Sequence, residues 1–251
     1  MARCIGNVFA TALLTCGLAS LCAAQRIEYH LENVQPTSRF SGRQLAVIMK
    51  LNHVDAADLP RLHRIIVPDR WDVDELQYSP MPMAIEAFAH ESKALLVDLE
   101  AQTFGAYEWG TLVRWGPVSS GDKRHQTPPG VYHLNWHALV HVSSENPTWV
   151  MPWYFNFAND LGLALHQYTL PGRPASHGCV RLLAEDAKWL FNWGEGWTLD
   201  AETRELLQTG TLVLLTGRYN FKAPPPWLKP KWWSTWISVD LAPLETVAAA
   251  R

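Results

Sequence analysis

The sequence predicts a mostly β fold, in the α+β class, with a few helices. From residue 92 onward, short runs rich in Val, Leu, Thr and aromatic residues alternate with turns that contain Gly, Pro, Ser and Asp. Two segments, 43–51 and 186–193, carry the apolar spacing of a short amphipathic helix. Hydrophobic residues make up 48% of the chain and charged residues 18%, which is typical of a globular protein and excludes a disordered one.

The predicted elements are separated by recognisable turn signals. In chain order we predict a helix at 43–51, strands at 62–68, 93–99, 103–108, 111–118, 131–134 and 161–166, a helix at 186–193 and a strand at 212–215. Pro68 closes the first strand because proline has no N–H to donate to a sheet. Trp109 and Gly110 form a turn between two strands, and Gly194 ends the second helix.

Size and charge limit the classes of function. The chain has 251 residues, enough for one large domain or for a domain of about 120–150 residues with appendages. It carries 21 Lys and Arg against 24 Asp and Glu, without a basic block, so we expect no nucleic-acid partner. The 13 tryptophans predict an aromatic-lined groove or an aromatic core.

Residues 1–24 are predicted to be a secretory signal peptide. Arg3 supplies a positive charge, residues 5–21 are apolar, and small residues precede the cleavage site expected after Ala24. Lipid attachment at Cys22 is disfavoured because a bulky leucine stands directly before it. We therefore expect an exported protein.

Removal of that segment leaves one cysteine. Three of the four cysteines, at positions 4, 16 and 22, lie in the signal segment, so the exported chain keeps Cys179 alone. A lone thiol in an oxidising compartment is either a small buried hydrophobe or a reactive group. The neighbours Ser176, His177 and Gly178 favour the reactive group, because they are polar or glycine rather than an apolar run.

Two histidines are candidate bases for that thiol. A cysteine attacks carbonyl groups as a thiolate, and it needs a nearby base or cation to lower its pKa from about 8.5. His177 is two residues away, and a chain reversal through residues 171–172 can bring back His166. Gly178 allows close approach of the backbone to a substrate, and the amides around Gly178 and Cys179 are candidate donors to an oxyanion.

The segment Ser-His-Gly-Cys-Val-Arg-Leu at 176–182 resembles the signature of the L,D-transpeptidase (YkuD) catalytic domain. Further landmarks stand in the family's order: an opening strand at 93–98, Ser-Ser-Gly at 119–121, Thr-Pro-Pro-Gly at 127–130, His166 and the Pro-Gly loop at 171–172. The resemblance covers roughly residues 91–217, about half of the chain.

The resemblance implies a mixed-sheet sandwich or barrel-like domain with Cys179 at the floor of a groove. It implies that Cys179 attacks the carbonyl of the third residue, a diamino acid, in a peptidoglycan tetrapeptide stem and releases D-alanine. The thioester then passes to an amine, which gives a 3→3 cross-link or attachment to a protein. His166 takes the role of general base and imidazolium partner. His177 shapes the site and the oxyanion region with Ser176, Gly178 and the Cys179 amide, and no cofactor is implied.

Several residues keep two interpretations. Arg181 either recognises a stem carboxylate or forms a structural ion pair. Tyr132, Trp136 and Trp153 either line the groove or belong to the core. Gln167 stands where glycine is more usual in the family, which predicts an altered subsite shape, and the spacing of 13 between histidine and cysteine predicts a shorter loop beside the groove.

The rest of the chain is divided into appendages. Residues 25–89 form an accessory region, in which 43–68 weakly resembles a degenerate LysM-type peptidoglycan-binding repeat. Residues 90–217 are the catalytic domain, and 218–251 are a Pro- and Trp-rich tail. We expect the tail to pack back on the protein, because so many exposed tryptophans would leave a large apolar patch.

Alternatives to a transpeptidase remain. Water as acceptor would make the protein an L,D-carboxypeptidase, and loss of activity would leave a wall-binding module. A metal site from His133, His137 and His141 needs a helix where the sequence predicts a strand.

Nothing in 166–182 separates the acceptors, which are a second stem, a lysine of an envelope lipoprotein, a D-amino acid or water. The resemblance also implies acylation by carbapenems and a periplasmic location.

Overall fold

The computed structural model describes residues 27–34, 39–40 and 42–244, so the predicted signal peptide at 1–24 lies outside the described residues. The strands and α-helices are β1 (Tyr29–Asn33), α1 (Gly42–Asn52), β2 (Arg64–Pro68), β3 (Ala94–Asp98), β4 (Thr103–Glu108), β5 (Thr111–Ser119), β6 (Gly130–His133), β7 (His137–Val142), β8 (Val150–Ala158), β9 (Leu163–Gln167), β10 (Val180–Leu182), α2 (Ala184–Trp193), β11 (Thr198–Leu199), β12 (Leu206–Gln208) and β13 (Leu212–Thr216). Short 3₁₀ helices occur at Leu59–Arg61, Glu75–Tyr78, Glu86–Phe88, Asn159–Leu161, Pro226–Leu228 and Pro230–Ser234.

A nine-stranded mixed sheet organises the molecule, with strand order β6-β13-β3-β4-β5-β10-β9-β8-β7. β13 runs parallel to β3 and β10 runs parallel to β9, whereas the other neighbouring pairs are antiparallel. The sheet curls into a half-barrel. The prediction of a mostly β, barrel-like fold with a few helices is therefore confirmed.

Most of the predicted elements are present with small shifts at their ends. The second helix begins earlier than predicted, at Ala184, and ends before Gly194, whose N–H donates to the Leu190 carbonyl. The strand predicted at 161–166 begins only at Leu163, because a 3₁₀ turn precedes it and ends at Gly162, which has a φ of 65°.

The hairpin of β7 and β8, at one edge of the sheet, has no counterpart in the sequence prediction. Pro152 and Trp153 interrupt the pattern of β8, and Trp153 has a left-handed φ of 53°. The three-residue β10 was also missed, since its pairing with β5 and β9 depends on residues far away in sequence.

Two large buried clusters stabilise the fold. The first joins the accessory region, the sheet and the tail, and includes Leu51, Trp115 and Trp227, which are all fully buried. The second fills the space between the sheet and α2. Trp227 and Trp233 pack back as expected, whereas Trp236 is 59% exposed. Within the described part of the chain, no helix is both long and apolar enough to cross a bilayer.

A buried ion network fastens the accessory region to the sheet. The Lys50 ammonium from α1 lies 2.6 Å from a Glu75 carboxylate oxygen and 3.3 Å from Asp186 Oδ1 on α2. Arg114 of β5 donates to the same Asp186 oxygen at 2.7 Å. Lys50 and Asp186 are almost fully buried and each contacts two opposite charges, so this network holds α1, β5 and α2 in one arrangement.

Candidate active site

The parallel pair β9 and β10 places the candidate histidine beside the candidate nucleophile. Leu165 pairs with Val180 and His166 pairs with Arg181, so Cys179, directly before β10, lies beside Ala164, near the amino end of β9. A cavity of about 220 Å³ opens there. Five of the predicted site residues line it together: His166, Ser176, His177, Cys179 and Arg181.

The backbone of the nucleophile loop is held by its own serine. Ser176 Oγ donates to the Cys179 carbonyl at 2.5 Å and accepts a hydrogen bond from the Gly178 N–H at 3.0 Å. The Gly178 amide is therefore engaged with Ser176 in this structure rather than free for an oxyanion. Gly178 has a φ of 114°, and a Cβ there would lie 2.8 Å from Leu163 Cδ2. The backbone conformation therefore favours glycine, and a larger residue would also displace the Leu163 side chain.

The predicted landmarks at 119–121 and 127–130 form hydrogen bonds with this loop. Thr127 Oγ1 donates to the Gly178 carbonyl at 2.7 Å and accepts from the Gly121 N–H at 2.9 Å. The Ser120 carbonyl accepts from the backbone amides of Ala175 and Ser176, both at 3.0 Å. The Ser-Ser-Gly and Thr-Pro-Pro-Gly segments therefore fix the position of the loop that carries Cys179.

His166 is buried, with 4% of its surface exposed, and its protonation pattern follows from one contact. Its Nδ1 lies 2.9 Å from the Gln167 carbonyl, which can only accept, so Nδ1 carries the hydrogen. Burial, with smaller contributions from Arg181 and His141, lowers its pKa to about 4, while the Gln167 contact opposes the shift. At neutral pH the ring is neutral and leaves Nε2 as a basic nitrogen.

The Cys179 thiol is also neutral at rest. Burial raises its pKa, while the Ala164 backbone and the positive charge of Arg181 lower it in part, and Glu145 opposes them. Its Sγ lies 3.9 Å from the Gly162 carbonyl, to which the thiol can donate. A neutral thiol beside a neutral imidazole means that a thiolate forms only when the proton moves to the histidine.

Arg181 and His177 have different surroundings although both line the cavity. The Arg181 guanidinium carbon lies 4.6 Å from the centre of the Tyr168 ring. Within the described residues, no carboxylate lies within 4.0 Å of this guanidinium, so the structural ion pair considered above is not present. The His177 ring stacks on His125, with ring centres 4.2 Å apart, and contacts the Trp149 ring at 4.5 Å with the two planes tilted by 49°.

Other aromatic predictions divide between cavity and core. Trp136 lines the cavity, whereas Tyr132 and Trp153 pack against the second buried cluster. Sequence analysis missed several lining residues from the β7–β8 hairpin and its turn: His141, Glu145, Trp149 and Tyr154. Their contribution depends on the fold of a hairpin that the pattern did not predict.

The histidines of the metal alternative occupy two strands. His133 belongs to β6, and His137 and His141 belong to β7, at the opposite end of the strand order. Among residues 27–34, 39–40 and 42–244, no group of three His, Cys, Asp or Glu side chains is arranged to hold a metal ion.

Comparison with known domain families matches residues 92–215 to YkuD, the L,D-transpeptidase catalytic domain. This part of the chain belongs to that family, and the resemblance drawn from 176–182 is confirmed. A comparison with curated proteins found no match.

Similar solved structures include three L,D-transpeptidases. The enzyme of Stackebrandtia nassauensis is 28% identical over 51% of this chain and 57% of its own, with a TM-score of 0.42. That of Xylanimonas cellulosilytica is 26% identical over 68% of this chain and 78% of its own, with a TM-score of 0.45. L,D-transpeptidase 3 of Mycobacterium tuberculosis, solved with a faropenem-derived adduct, is 18% identical over 50% of this chain and 60% of its own, with a TM-score of 0.39.

Proposed function

We propose that the protein is a cysteine acyltransferase that acts on peptidoglycan stem peptides. The observation that carries the proposal is the meeting of the Cys179 thiol, the neutral His166 and Arg181, which contacts no carboxylate of the described residues, in one cavity beside strands β9 and β10. The three side chains supply a nucleophile, a base and an anion-binding group. Membership of residues 92–215 in the L,D-transpeptidase family supports the reaction class.

The first half-reaction makes a thioester. His166 accepts the Sγ proton, and the sulfur attacks the carbonyl carbon of the diamino acid at the third position of a tetrapeptide stem. The tetrahedral intermediate collapses with cleavage of the bond to D-alanine, whose nitrogen takes the proton from His166. The Cys179 amide is the proposed oxyanion donor, since the Gly178 amide donates to Ser176.

The second half-reaction transfers the acyl group. The amine of a second stem, or of a lysine on an envelope lipoprotein, attacks the thioester carbonyl and loses a proton to His166. The carbon–sulfur bond breaks, and the sulfur recovers its proton from the histidine. Attack by water instead would make the protein an L,D-carboxypeptidase. In either case Arg181 is the proposed partner of a stem carboxylate.

Product analysis by mass spectrometry tests this proposal. We expect the protein, incubated with disaccharide-tetrapeptide, to form a cross-linked dimer that lacks one D-alanine, and the Cys179→Ala variant to form none. Tripeptide without dimer would identify water as the acceptor under these conditions. If neither protein forms product although both are folded, the wall-binding alternative would be favoured.

A carbapenem offers an independent test of the thiol. A strained β-lactam carbonyl needs only the nucleophile and base for acylation, so we expect a meropenem adduct on Cys179 in the intact-mass spectrum. The Cys179→Ser variant keeps the shape of the site and should form the adduct far more slowly. An adduct at another position would contradict the assignment of the nucleophile.

A periplasmic location after cleavage at Ala24 completes the proposal, and N-terminal sequencing of the exported protein tests it.

A further inference from the structure

A second groove of about 490 Å³ lies on the far side of His177 from the Cys179 cavity. His177 lines both spaces, and its ring stacks on that of His125 and makes a tilted contact with that of Trp149. The His125 carbonyl lies 3.9 Å from the position of a Cβ on Gly178, so the wall of this groove reaches the nucleophile loop. His177 therefore lies between two adjoining spaces.

The second groove is electropositive. Lys123, Arg124 and Arg173 line it with exposed side chains, and no described carboxylate lies within 4.0 Å of their charged groups. Asp122 is the one acidic residue among those lining it. Its Oδ1 already accepts from the backbone amides of Arg124 and His125, at 2.8 and 2.9 Å, and lies 3.0 Å from His125 Nδ1. Three cations therefore remain available for an anionic ligand.

Part of this groove comes from outside the family domain. Tyr219 and Phe221, which follow the last matched residue at 215, form its aromatic wall with ring centres 4.9 Å apart. Tyr219 also approaches the buried Trp227 of the tail, at 6.1 Å between ring centres. The tail thus builds a surface beside the active site in addition to closing the first buried cluster.

We propose that this groove binds the carboxylate-bearing acceptor stem, with Lys123, Arg124 and Arg173 as the groups that recognise its carboxylates. The inference rests on the proposed function and extends it. While the donor occupies the Cys179 cavity as a thioester, an acceptor amine needs a different approach to the same carbonyl carbon. The groove across His177 offers that approach, and its charge is opposite to that of a peptide stem ending in a carboxylate.

The test separates acceptor binding from thioester formation. Disaccharide-tetrapeptide serves as donor, and disaccharide-tripeptide, which has no D-alanine to release, serves as acceptor. In the Lys123→Glu/Arg173→Glu variant we expect the acceptor concentration for half-maximal transfer to rise at least tenfold. The rate of D-alanine release from the donor should change much less. Arg64→Glu/Arg204→Glu changes the net charge equally at exposed positions outside the groove and should leave that concentration within about twofold.

The carboxylate itself is tested with an acceptor whose terminal carboxylate is amidated. For the wild-type protein, amidation should raise the acceptor concentration for half-maximal transfer at least tenfold. In the groove variant, amidation should raise that concentration little further. An unchanged acceptor requirement in the groove variant would overturn the inference, as would a parallel fall of D-alanine release and transfer, which would place the groove on the donor side. If no D-alanine is released at all, the proposed function fails. Calorimetric binding of the tripeptide to Cys179→Ala, with and without the groove substitutions, then still decides the inference.

Discussion

The two most deeply buried histidines of the protein, His166 and His53, have similarly lowered pKa values but different surroundings. Burial lowers the pKa of both, to about 4 for His166 and about 3 for His53, so both rings are neutral at neutral pH. His166 lines a cavity and has its tautomer set by the Gln167 carbonyl. His53 stacks on the Trp227 ring at 4.1 Å and 8°.

The surroundings of His53 indicate a role in the scaffold. Neither of its ring nitrogens has a well-aligned hydrogen bond among the described residues, although the Gln102 backbone offsets part of its pKa shift. Its carbonyl accepts from the Gly172 N–H at 3.0 Å, in the loop that leads to Cys179. A depressed histidine pKa therefore does not identify a base by itself; access to a cavity and a defined tautomer distinguish His166.

The largest expected effect concerns catalysis at His166. His166→Gln keeps a polar side chain of similar reach but removes the base, so we expect thioester formation to slow by about 10³-fold or more. The melting temperature should change little. Stopped reactions followed by intact-mass spectrometry measure the rate, and a loss of less than about tenfold would assign the base to another group.

The next effect concerns the partner of His53. Trp227→Ala removes a fully buried indole from the first cluster, and we expect the free energy of unfolding to fall by about 3–5 kcal/mol. Trp236→Ala, at a 59% exposed position, is the matched control and should cost less than about 1 kcal/mol. Urea denaturation followed by circular dichroism measures both, and equal losses would contradict the packing described for the tail.

A smaller effect is expected at the nucleophile loop. Gly178→Ala places a methyl group 2.8 Å from Leu163 Cδ2 and strains the backbone at a φ of 114°, so we expect the loop to shift. Because displacement of Cys179 misaligns it with the substrate, we expect carbapenem acylation to slow by about 10–100-fold. Gly162→Ala is a useful control, since its φ of 65° is also left-handed but a Cβ there meets nothing within 4 Å. Equal rates in both variants would argue against a specific requirement at Gly178.

The smallest effect concerns pH and His53. Its folded-state pKa lies below the ordinary 6.5, so between about pH 6.5 and 3 the unfolded chain binds more protons and stability falls as the pH drops. His53→Phe keeps an aromatic ring against Trp227 but cannot be protonated. Melting temperatures between pH 7 and 4 should therefore decline less steeply in the variant than in the parent. Identical slopes would show that His53 does not titrate in this way.

Local sequence accounts for much of the fold and for the reacting groups. Strands β3, β4 and β5 follow from apolar runs between clear turns, and α2 follows from its spacing and from Gly194. Cys179 and His166 were predicted because the chemistry-bearing residues are close in sequence and the heptapeptide is specific.

The remaining features depend on contacts between distant residues. The hydrogen bond from the Gly178 N–H to Ser176 Oγ depends on the three-dimensional geometry of the loop. The stacking of His53 on Trp227 joins residues from the accessory region and the tail. The electropositive groove combines the 122–125 loop with Arg173 and residues after 215. No pattern within one segment contains this information.

The most direct test of the account compares acyl-adduct formation in three proteins. Wild type, His53→Phe and His166→Gln are incubated with disaccharide-tetrapeptide alone, and the intact mass is followed over time. We expect an adduct of donor minus D-alanine on Cys179 in wild type and His53→Phe at similar rates, and at least 10³-fold slower formation in His166→Gln. Rapid acylation of His166→Gln together with loss of acylation in a folded His53→Phe variant would contradict it.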